Sequence, residues 1–490
     1  MRLSQLLTNA HLSPVPALCD REITRIVCNS ADAGKDTLFV CIRGFRIDGH
    51  DYASECYDRG CRAFLSERPL DLPPDCTVVR CDNTRRALAE VSHAFYGFPS
   101  EQLRVVGITG TKGKTSVAHI LMKILNDNGI PAAVIGTTGV DSPCYRAETD
   151  NTTPESVDLA RFLSELLARG VRVAILEVSS QALYLERVFG IRFYATCFTN
   201  LSPDHIGESE HPSFAHYLHC KRKLFTEYPA RYAVFNAADP YFEAVSDGCL
   251  SETRTVGLNA SDFFASECVS SLSDGLPGVS FVLRRGGKKI PAFLSMPGKF
   301  NVSNAVCAVA LAETLGVPTE QSVLSLSHVS APGRFELFRA ENGALFVIDY
   351  AHNAVSIENV LRTLRSFCRK KLFCVVGSVG GRTTLRRAAI GKAVSTLCDE
   401  VILTSDHPDY EDPTAICEEI RAAFVWEIPC RIIEDRAEAI RFAAATARKG
   451  DVVLLAGKGH ERYQLVRGEK RPFSERAVLE DCSKAAGPCS

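Results

Sequence analysis

Gly107-Ile108-Thr109-Gly110-Thr111-Lys112-Gly113-Lys114-Thr115-Ser116 closes an apolar run that starts at Arg104. Beyond it, Val117, Ile120, Leu121, Ile124 and Leu125 recur at helical spacing, and Gly129 marks the stop. A strand, a glycine loop and a helix in that order build a phosphate cradle. Glycines let backbone N–H groups curl around phosphate oxygens, and the helix N-terminus adds a favourable dipole. Lys114 can reach the β- and γ-phosphates, and Thr115 offers a hydroxyl to Mg²⁺. The common nucleotide loop has glycine five residues before Gly113, where this chain has Ile108, so the match is to a near relative of that loop. A mere glycine turn capping a helix explains less, because Gly-Lys-Thr-Ser at a strand-to-helix junction is a specific combination. A guanine-nucleotide switch is disfavoured, because no Asn-Lys-x-Asp motif occurs.

Working outward, continuous β-branched runs at Val171 to Val178 and Phe193 to Thr199 read as strands covered on both faces. A helix is predicted over Asn304 to Leu315. After Ala331-Pro332-Gly333 the pattern alternates. Strands are predicted at Leu345 to Asp349, Leu372 to Gly377, Glu400 to Thr404, Cys430 to Ile433 and Asp451 to Ala456. Between the later ones lie helices at Pro413 to Phe424 and Arg436 to Arg448. Such alternation predicts a doubly wound α/β domain. Before the phosphate loop, Thr37 to Ile42 reads as a strand followed by turn signals at Gly44 and Asp48-Gly49, and Gly97-Phe98-Pro99-Ser100 closes that segment. The expected division is therefore 1–100, 101–330 and 331–490, close to what 490 residues allow.

Charge is nearly balanced, with 56 Lys+Arg against 58 Asp+Glu, so no general field draws in nucleic acid or membrane. No signal peptide and no run of about 18 apolar residues is visible, which predicts a cytoplasmic protein without membrane insertion. The 20 cysteines form no Cys-x-x-Cys pair, and none is read as clustering with histidines at zinc spacing. Most are expected to be small apolar core residues.

Thr109 to Ser116 resembles the ATP loop of the Mur ligases, which commonly carry Asn where this chain has Lys112. Further matches follow in that family's order. They are Asn151-Thr152-Thr153, Glu177-Val178-Ser179-Ser180, Thr199-Asn200-Leu201-Ser202-Pro203-Asp204-His205, Phe300-Asn301-Val302-Ser303-Asn304-Ala305, Pro332-Gly333-Arg334-Phe335-Glu336, Asp349-Tyr350-Ala351-His352 and Gly457-Lys458-Gly459-His460-Glu461. The resemblance implies three α/β domains: an N-terminal domain for a UDP-linked substrate, a central P-loop ATPase-like domain and a Rossmann-like C-terminal domain. It implies ATP-dependent, Mg²⁺-dependent ligation of an amino acid to UDP-N-acetylmuramoyl-L-alanyl-D-glutamate through an acyl phosphate, in peptidoglycan precursor synthesis. It also implies a monomer with only small-molecule partners. Two other readings stay open. One is a folylpolyglutamate or cyanophycin-type ligase, against which the N-terminal module and the Gly457 motif count. The other is a noncatalytic nucleotide-binding regulator of wall synthesis, against which retention of Lys114, Glu177, His205 and Lys221 counts.

The same resemblance carries site residues over by position. Gly110, Thr111, Lys112, Gly113, Lys114, Thr115 and Ser116 would bind ATP phosphates, with Asn304 facing adenine, Arg334 beside ATP and Asp349 on the ribose. Thr115, Glu177, His205 and a carbamylated Lys221 would hold metal, since carbamylation turns a cation into an oxygen ligand suited to a hard ion. Ser30, Asn151, Thr152, Thr153, Ser179 and Arg187 match contacts to the UDP-linked substrate. Phe45-Arg46-Ile47 departs from the family's uracil loop, Leu185 stands where a Gln is common, and Gly207-Glu208-Ser209-Glu210-His211 departs from Asp-Tyr-His-Gly. Arg382, Asp406, His407, Asp409, Gly457 and Glu461 match positions around the incoming amino acid. Relatives that use meso-diaminopimelate carry Asp-Asn-Pro-Arg where this chain reads Asp406-His407-Pro408-Asp409. An acidic pocket of Asp406, Asp409 and Glu461 is expected, and it favours a cationic side chain such as L-lysine or L-ornithine.

Overall fold

The computed structural model describes residues 1–12, 20–44, 47–204, 206–207, 210–257, 260–273, 276–381 and 384–485. The chain forms two compact units. One comprises Met1–Phe264, Arg284–Lys288 and Val306–Ser322; the other comprises Ala265–Leu283, Lys289–Ala305 and Val323–Ser490.

In the first unit, Arg25–Val27, Thr37–Val40, Ala63–Ser66 and Thr77–Arg80 pair in that order as a parallel sheet. Alternate side chains point to opposite faces of a strand. Leu38, Val40, Ala63 and Leu65 therefore join one core with Leu3, Leu7, Leu88 and Val91. Phe39 and Phe64 join another with Cys56 and Cys61.

The larger sheet of this unit centres on Arg104–Thr109, which pairs in parallel with Phe193–Phe198 on one side and Val173–Glu177 on the other. Tyr232–Asn236 and Ala132–Gly136 extend it. Val105, Leu176, Phe193 and Phe198 are packed in its core. Because these strands run parallel, their C-terminal ends lie along one edge, the usual ligand edge of such sheets. That edge carries Gly110, Thr137, Glu177 and Thr199, each at or just past the end of its strand.

In the second unit, Glu336–Arg339 pairs antiparallel with Leu345–Asp349. Val452–Ala456, Leu372–Val376, Glu400–Leu403 and Cys430–Ile432 then follow in parallel, making a six-stranded sheet. Helices Ala354–Arg365, Thr384–Leu397, Pro413–Ala422 and Arg436–Thr446 connect its strands, so the predicted alternation holds. Two cores, one with Val347, Leu361 and Leu454 and one with Phe346, Ile440 and Leu455, cover the sheet's two faces.

Some elements differ from the sequence reading. The helix expected over Asn304 to Leu315 spans Lys299–Thr314. Its first turn holds Asn301, whose Nδ2 donates to the Pro297 carbonyl at 2.7 Å. Three strands occupy Phe263–Ser273, Leu276–Arg285 and Lys288–Leu294, and an antiparallel hairpin joins Tyr463–Val466 to Glu469–Pro472. Phe263–Ser273 and Glu469–Pro472 are largely exposed and mix polar and apolar residues without a strong period, which hides them from pattern reading, whereas Leu276–Arg285 buries Val279, Phe281 and Leu283 in an alternation that the sequence reading passed over. No helix among the described residues is long and apolar enough to cross a membrane.

Candidate active site

The phosphate loop leads into the helix Lys114–Asp127, with Gly113 at φ 85° before its first residue. The first N–H groups of a helix have no intrahelical acceptor, so this terminus presents donors and a partial positive charge. Gly110 is required by space as well as by its φ of 150°, because a Cβ there would lie 1.9 Å from Thr199 Oγ1. Thr199 Oγ1 donates to the Lys112 carbonyl at 2.7 Å, and Asn200 Oδ1 accepts from the Lys112 N–H at 2.9 Å. The segment after Phe193–Phe198 thus holds the loop's shape from the side. Lys112 Nζ lies 3.2 Å from Asp204 Oδ2. The buried Thr109 Oγ1 has no hydrogen-bond partner among the described residues.

Two lysine amines converge on one oxygen. Lys114 Nζ donates to the Gly110 carbonyl at 2.9 Å and to the Thr111 carbonyl at 3.2 Å. Lys221 Nζ donates to the same Gly110 carbonyl at 2.9 Å. Lys221 sits on the helix Phe214–Thr226 and is 1% exposed. Burial, and then the neighbouring Lys114 charge, hold its amine well below the usual lysine range.

Glu177 ends its strand fully buried and gathers hydroxyls. Thr115 Oγ1 donates to Glu177 Oε2 at 2.8 Å. Thr137 donates to Glu177 through its N–H at 3.0 Å and its Oγ1 at 3.2 Å. Thr137 also links to Thr152 Oγ1 at 3.2 Å. Thr153 Oγ1 donates to the Glu177 carbonyl at 2.8 Å and accepts from the Ser179 N–H at 3.0 Å. Arg187 Nη1 donates to the Thr153 carbonyl at 3.1 Å, while its Nε pairs with Glu155 at 2.7 Å. The structure therefore brings Lys114, Thr115, Glu177, Lys221, Thr152, Thr153, Ser179 and Arg187 into one neighbourhood. Asn151 is exposed, and Ser30 is half-buried in the short turn Ser30–Asp32. His205, Phe45 and Arg46 lie outside the described residues.

The oxygen donors at Thr115 and Glu177 suit a hard divalent ion such as Mg²⁺. The helix N-terminus and the unsatisfied Thr109 hydroxyl suit a nucleotide phosphate.

The second unit holds another cluster. Asp349 is buried; its Oδ2 accepts from the Phe335 N–H and its Oδ1 from the Ala351 N–H, both at 2.8 Å. Burial pushes its carboxyl up, against the pull of Arg334. The Arg334 guanidinium stacks 4.6 Å from the Tyr350 ring centre. Asn304 is buried and donates to Asn301 Oδ1 at 3.3 Å.

Lys458 is fully buried, with its Nζ 2.8 Å from Glu461 Oε2, 2.7 Å from His407 Nε2 and 3.7 Å from Asp406 Oδ1. His407 Nε2 lies 2.8 Å from Glu461 Oε2, and His407 Nδ1 accepts from the Leu465 N–H at 2.7 Å. Burial raises the Glu461 carboxyl, but His407 and Lys458 outweigh it and bring it down to about 2. Gly457, at φ 117°, lets this strand end approach Asp406; a Cβ would lie 2.8 Å from Asp406 Oδ2. Below the cluster, Arg436 and Glu475 form a fully buried ion pair at 2.7 Å.

This corrects the acidic-pocket expectation. Asp406 and Glu461 do meet, but around a buried cation. Asp409 sits at φ 52°, and its Oδ1 accepts from the Gly468 N–H at 2.8 Å. Its backbone also bonds Leu465 and Arg467, so it is clamped to the hairpin Tyr463–Pro472. Arg382 lies outside the described residues.

Sequence reasoning missed Thr137 and Lys458 as site residues. Thr137 lies in Gly136-Thr137-Thr138-Gly139 at a strand end, a usable signal. Lys458 stood inside a quoted motif but was given no role. The expectation that no cysteine clusters with histidines is also overturned. His211, His216 and Cys220 offer ligand atoms within 4.8 Å of one another. The signal was His-x₄-His-x₃-Cys, a spacing visible only to a search that admits a loop ligand before a helical pair.

Three family models match the chain: the Mur ligase family catalytic domain over residues 22–96, the Mur ligase middle domain over 108–312 and the Mur ligase glutamate ligase domain over 333–459. A UDP-N-acetylmuramoyl-L-alanyl-D-glutamate–2,6-diaminopimelate ligase of Bacillus licheniformis is 37% identical, covering 98% of this chain and 100% of its own length. A solved structure of a ligase of the same name has a TM-score of 0.68 at 26% identity, covering 95% of this chain and 96% of its own. The MurF ligase of Thermotoga maritima in complex with ADP has a TM-score of 0.63 at 19% identity, covering 96% and 99%.

Proposed function

This chain belongs to the Mur ligase family, with its three-domain α/β architecture, and we propose that it adds diaminopimelate to UDP-N-acetylmuramoyl-L-alanyl-D-glutamate. It is an ATP-dependent, amide-bond-forming ligase whose cofactors are ATP and Mg²⁺. Domain limits near residues 100 and 330 and the residue roles below belong to the proposal.

The convergence of Lys114 and Lys221 on the Gly110 carbonyl carries the reading. The Lys114 cation and a helix terminus at one strand edge favour a polyanion that accumulates charge during reaction, and Lys221 beside them is placed to complete the metal's oxygen ligands as its carbamate. The carboxylate of the substrate's terminal glutamate attacks the γ-phosphorus of ATP; the bridging P–O bond breaks and ADP leaves. The amino acid's neutral amine then attacks the acyl carbon. Its C–O bond to phosphate breaks, and the nitrogen loses a proton to solvent as the amide forms. Lys114 follows the charge on the transferring phosphoryl group. Thr115 and Glu177, with His205, would hold Mg²⁺, which would neutralise phosphate charge. Thr137 fixes the Glu177 carboxylate. Lys221, whose amine burial holds well below the usual lysine range, would add CO₂ through its nitrogen and lose a proton to solvent, giving a carbamate oxygen ligand. Thr152, Thr153, Ser179 and Arg187 position the muramoyl peptide, and Ser30 the uridine end. Asn304, Arg334 and Asp349 hold the nucleoside.

The Lys458–His407–Glu461 cluster, with Asp406, Gly457 and Arg382, receives the amino acid. Diaminopimelate is supported by the names of relatives at 34–37% identity and by Asp409 being tied to Gly468. L-Lysine is the second reading, supported by Asp409 standing where diaminopimelate users carry arginine. The test supplies the muramoyl dipeptide, ATP, Mg²⁺ and a panel of amino acids, with products identified by mass spectrometry. ADP release that requires the dipeptide, with a diaminopimelate adduct, is expected. A lysine adduct alone overturns the specificity; no adduct with any amino acid overturns the ligase reading.

A further inference from the structure

Outside the phosphate loop, one cluster has a different chemistry. His216 and Cys220 stand four apart on the helix Phe214–Thr226, hence on one face. His211 reaches them from the loop before the helix. His211 Nδ1 lies 2.9 Å from His216 Nδ1, and Cys220 Sγ lies 3.7 Å from the same nitrogen. His211 and Cys220 are buried, and His216 is half-buried.

We propose that His211, His216 and Cys220 form a binding site for a borderline-soft divalent metal of the zinc class. Zinc bonded to nitrogen and sulfur in a tetrahedron sets ligand separations of about 3.3 Å for N···N and about 3.6 Å for N···S. The observed separations lie within a few tenths of an ångström of both. A thiolate with two imidazoles selects against Mg²⁺, which takes oxygen ligands, so this site is chemically separate from Thr115 and Glu177. The outer partner that such a histidine needs is also present: His211 Nε2 lies 2.9 Å from Ser180 Oγ. The Ser180 hydroxyl can accept the Nε2 proton, which suits the tautomer that leaves Nδ1 to face the metal. On binding, the Cys220 thiol gives its proton to solvent, and the proton between the two Nδ1 atoms moves to an Nε2. No oxidation is involved, and the fourth position is left to water or a further donor.

Such an ion would tie three pieces together: the loop ending at His211, the helix carrying Lys221, and Ser180 beside Ser179. Its role is positioning.

The test uses the full-length protein in excess Mg²⁺, titrated with one equivalent of Co²⁺. Tetrahedral cobalt bands with a sulfur-to-metal charge-transfer band are expected, and Zn²⁺ should abolish them. Cys220→Ser should remove the charge-transfer band, and His216→Ala should weaken Co²⁺ binding by at least about tenfold. Circular dichroism checks that each variant folds; Cys220→Ser is nearly isosteric and keeps the test valid if a histidine variant does not. A charge-transfer band that survives Cys220→Ser would place the metal on another thiol and overturn the proposal. So would octahedral bands alone.

Discussion

The two charged regions of this molecule are built on opposite principles. At the phosphate loop, the amines of Lys114 and Lys221 crowd the Gly110 carbonyl, and burial with the Lys114 charge pushes the Lys221 amine well below the usual lysine range. In the second unit, Lys458 is surrounded by Glu461, Asp406 and His407, so its charge is answered within a few ångströms. The first region leaves electrostatic work for an incoming anion. The second is compensated before any ligand arrives, so a ligand received there would be selected by shape and hydrogen bonding more than by net charge. Paired acids are poor witnesses to ligand charge, so Asp406 and Glu461, which meet around Lys458, do not by themselves argue for a cationic ligand.

Charge removal at the loop is expected to have the largest effect. Lys114→Ala should lower turnover by about 10²- to 10³-fold or more while melting near the parent temperature. Dipeptide-dependent ADP release, measured beside a thermal melt, gives both quantities; a folded, active variant would break the comparison at its strongest point. Lys221→Ala should also be inactive, and short carboxylic acids should restore part of the rate by supplying an oxygen ligand. Full activity without added acid removes the carbamate role.

Effects in the compensated cluster should be smaller. Glu461→Gln leaves Lys458 and His407 less well answered and should cost about ten- to a hundredfold in kcat/KM for the amino acid. The same carboxyl gives a pH signature. Its folded value is depressed from 4.5 to about 2. Its contribution to stability is therefore complete above about 4.5 and is lost as pH falls towards about 2. Acid-unfolding curves of the parent should show that loss, and Glu461→Gln should flatten it. Parallel curves would mean that Glu461 is not held as described. Smallest of all, Asp409→Asn should cost about 0.5–1.5 kcal/mol by weakening the Gly468 contact, with the ranking of amino acids unchanged. A shift in ranking towards diaminopimelate would return Asp409 to the pocket and revive the lysine reading.

Much of the first region was legible in the sequence because its parts are local. Glycine, lysine and threonine at fixed spacing after an apolar strand define a loop whose backbone does the binding, and strand Arg104–Thr109 runs as read. The parallel strands announced themselves by continuous apolar runs. Glu177 and Lys221 were placed only through resemblance, since nothing local to either says that it faces Gly110 or Thr115. Thr137 went unnoticed because a threonine at a strand end is common.

The sequence by itself determined the strand-loop-helix phosphate cradle, the alternating C-terminal domain and the order of family motifs. Each depends on residues within a few positions of one another, where backbone geometry turns spacing directly into shape. Tertiary structure alone decided which charges cancel. Asp409 meets Gly468 across 59 residues, and Asp406 and Glu461 meet around Lys458. It also decided that His211 turns back onto His216 and Cys220. Coulomb energy depends on distance in space, and a string of residue types does not state which acid a buried lysine reaches.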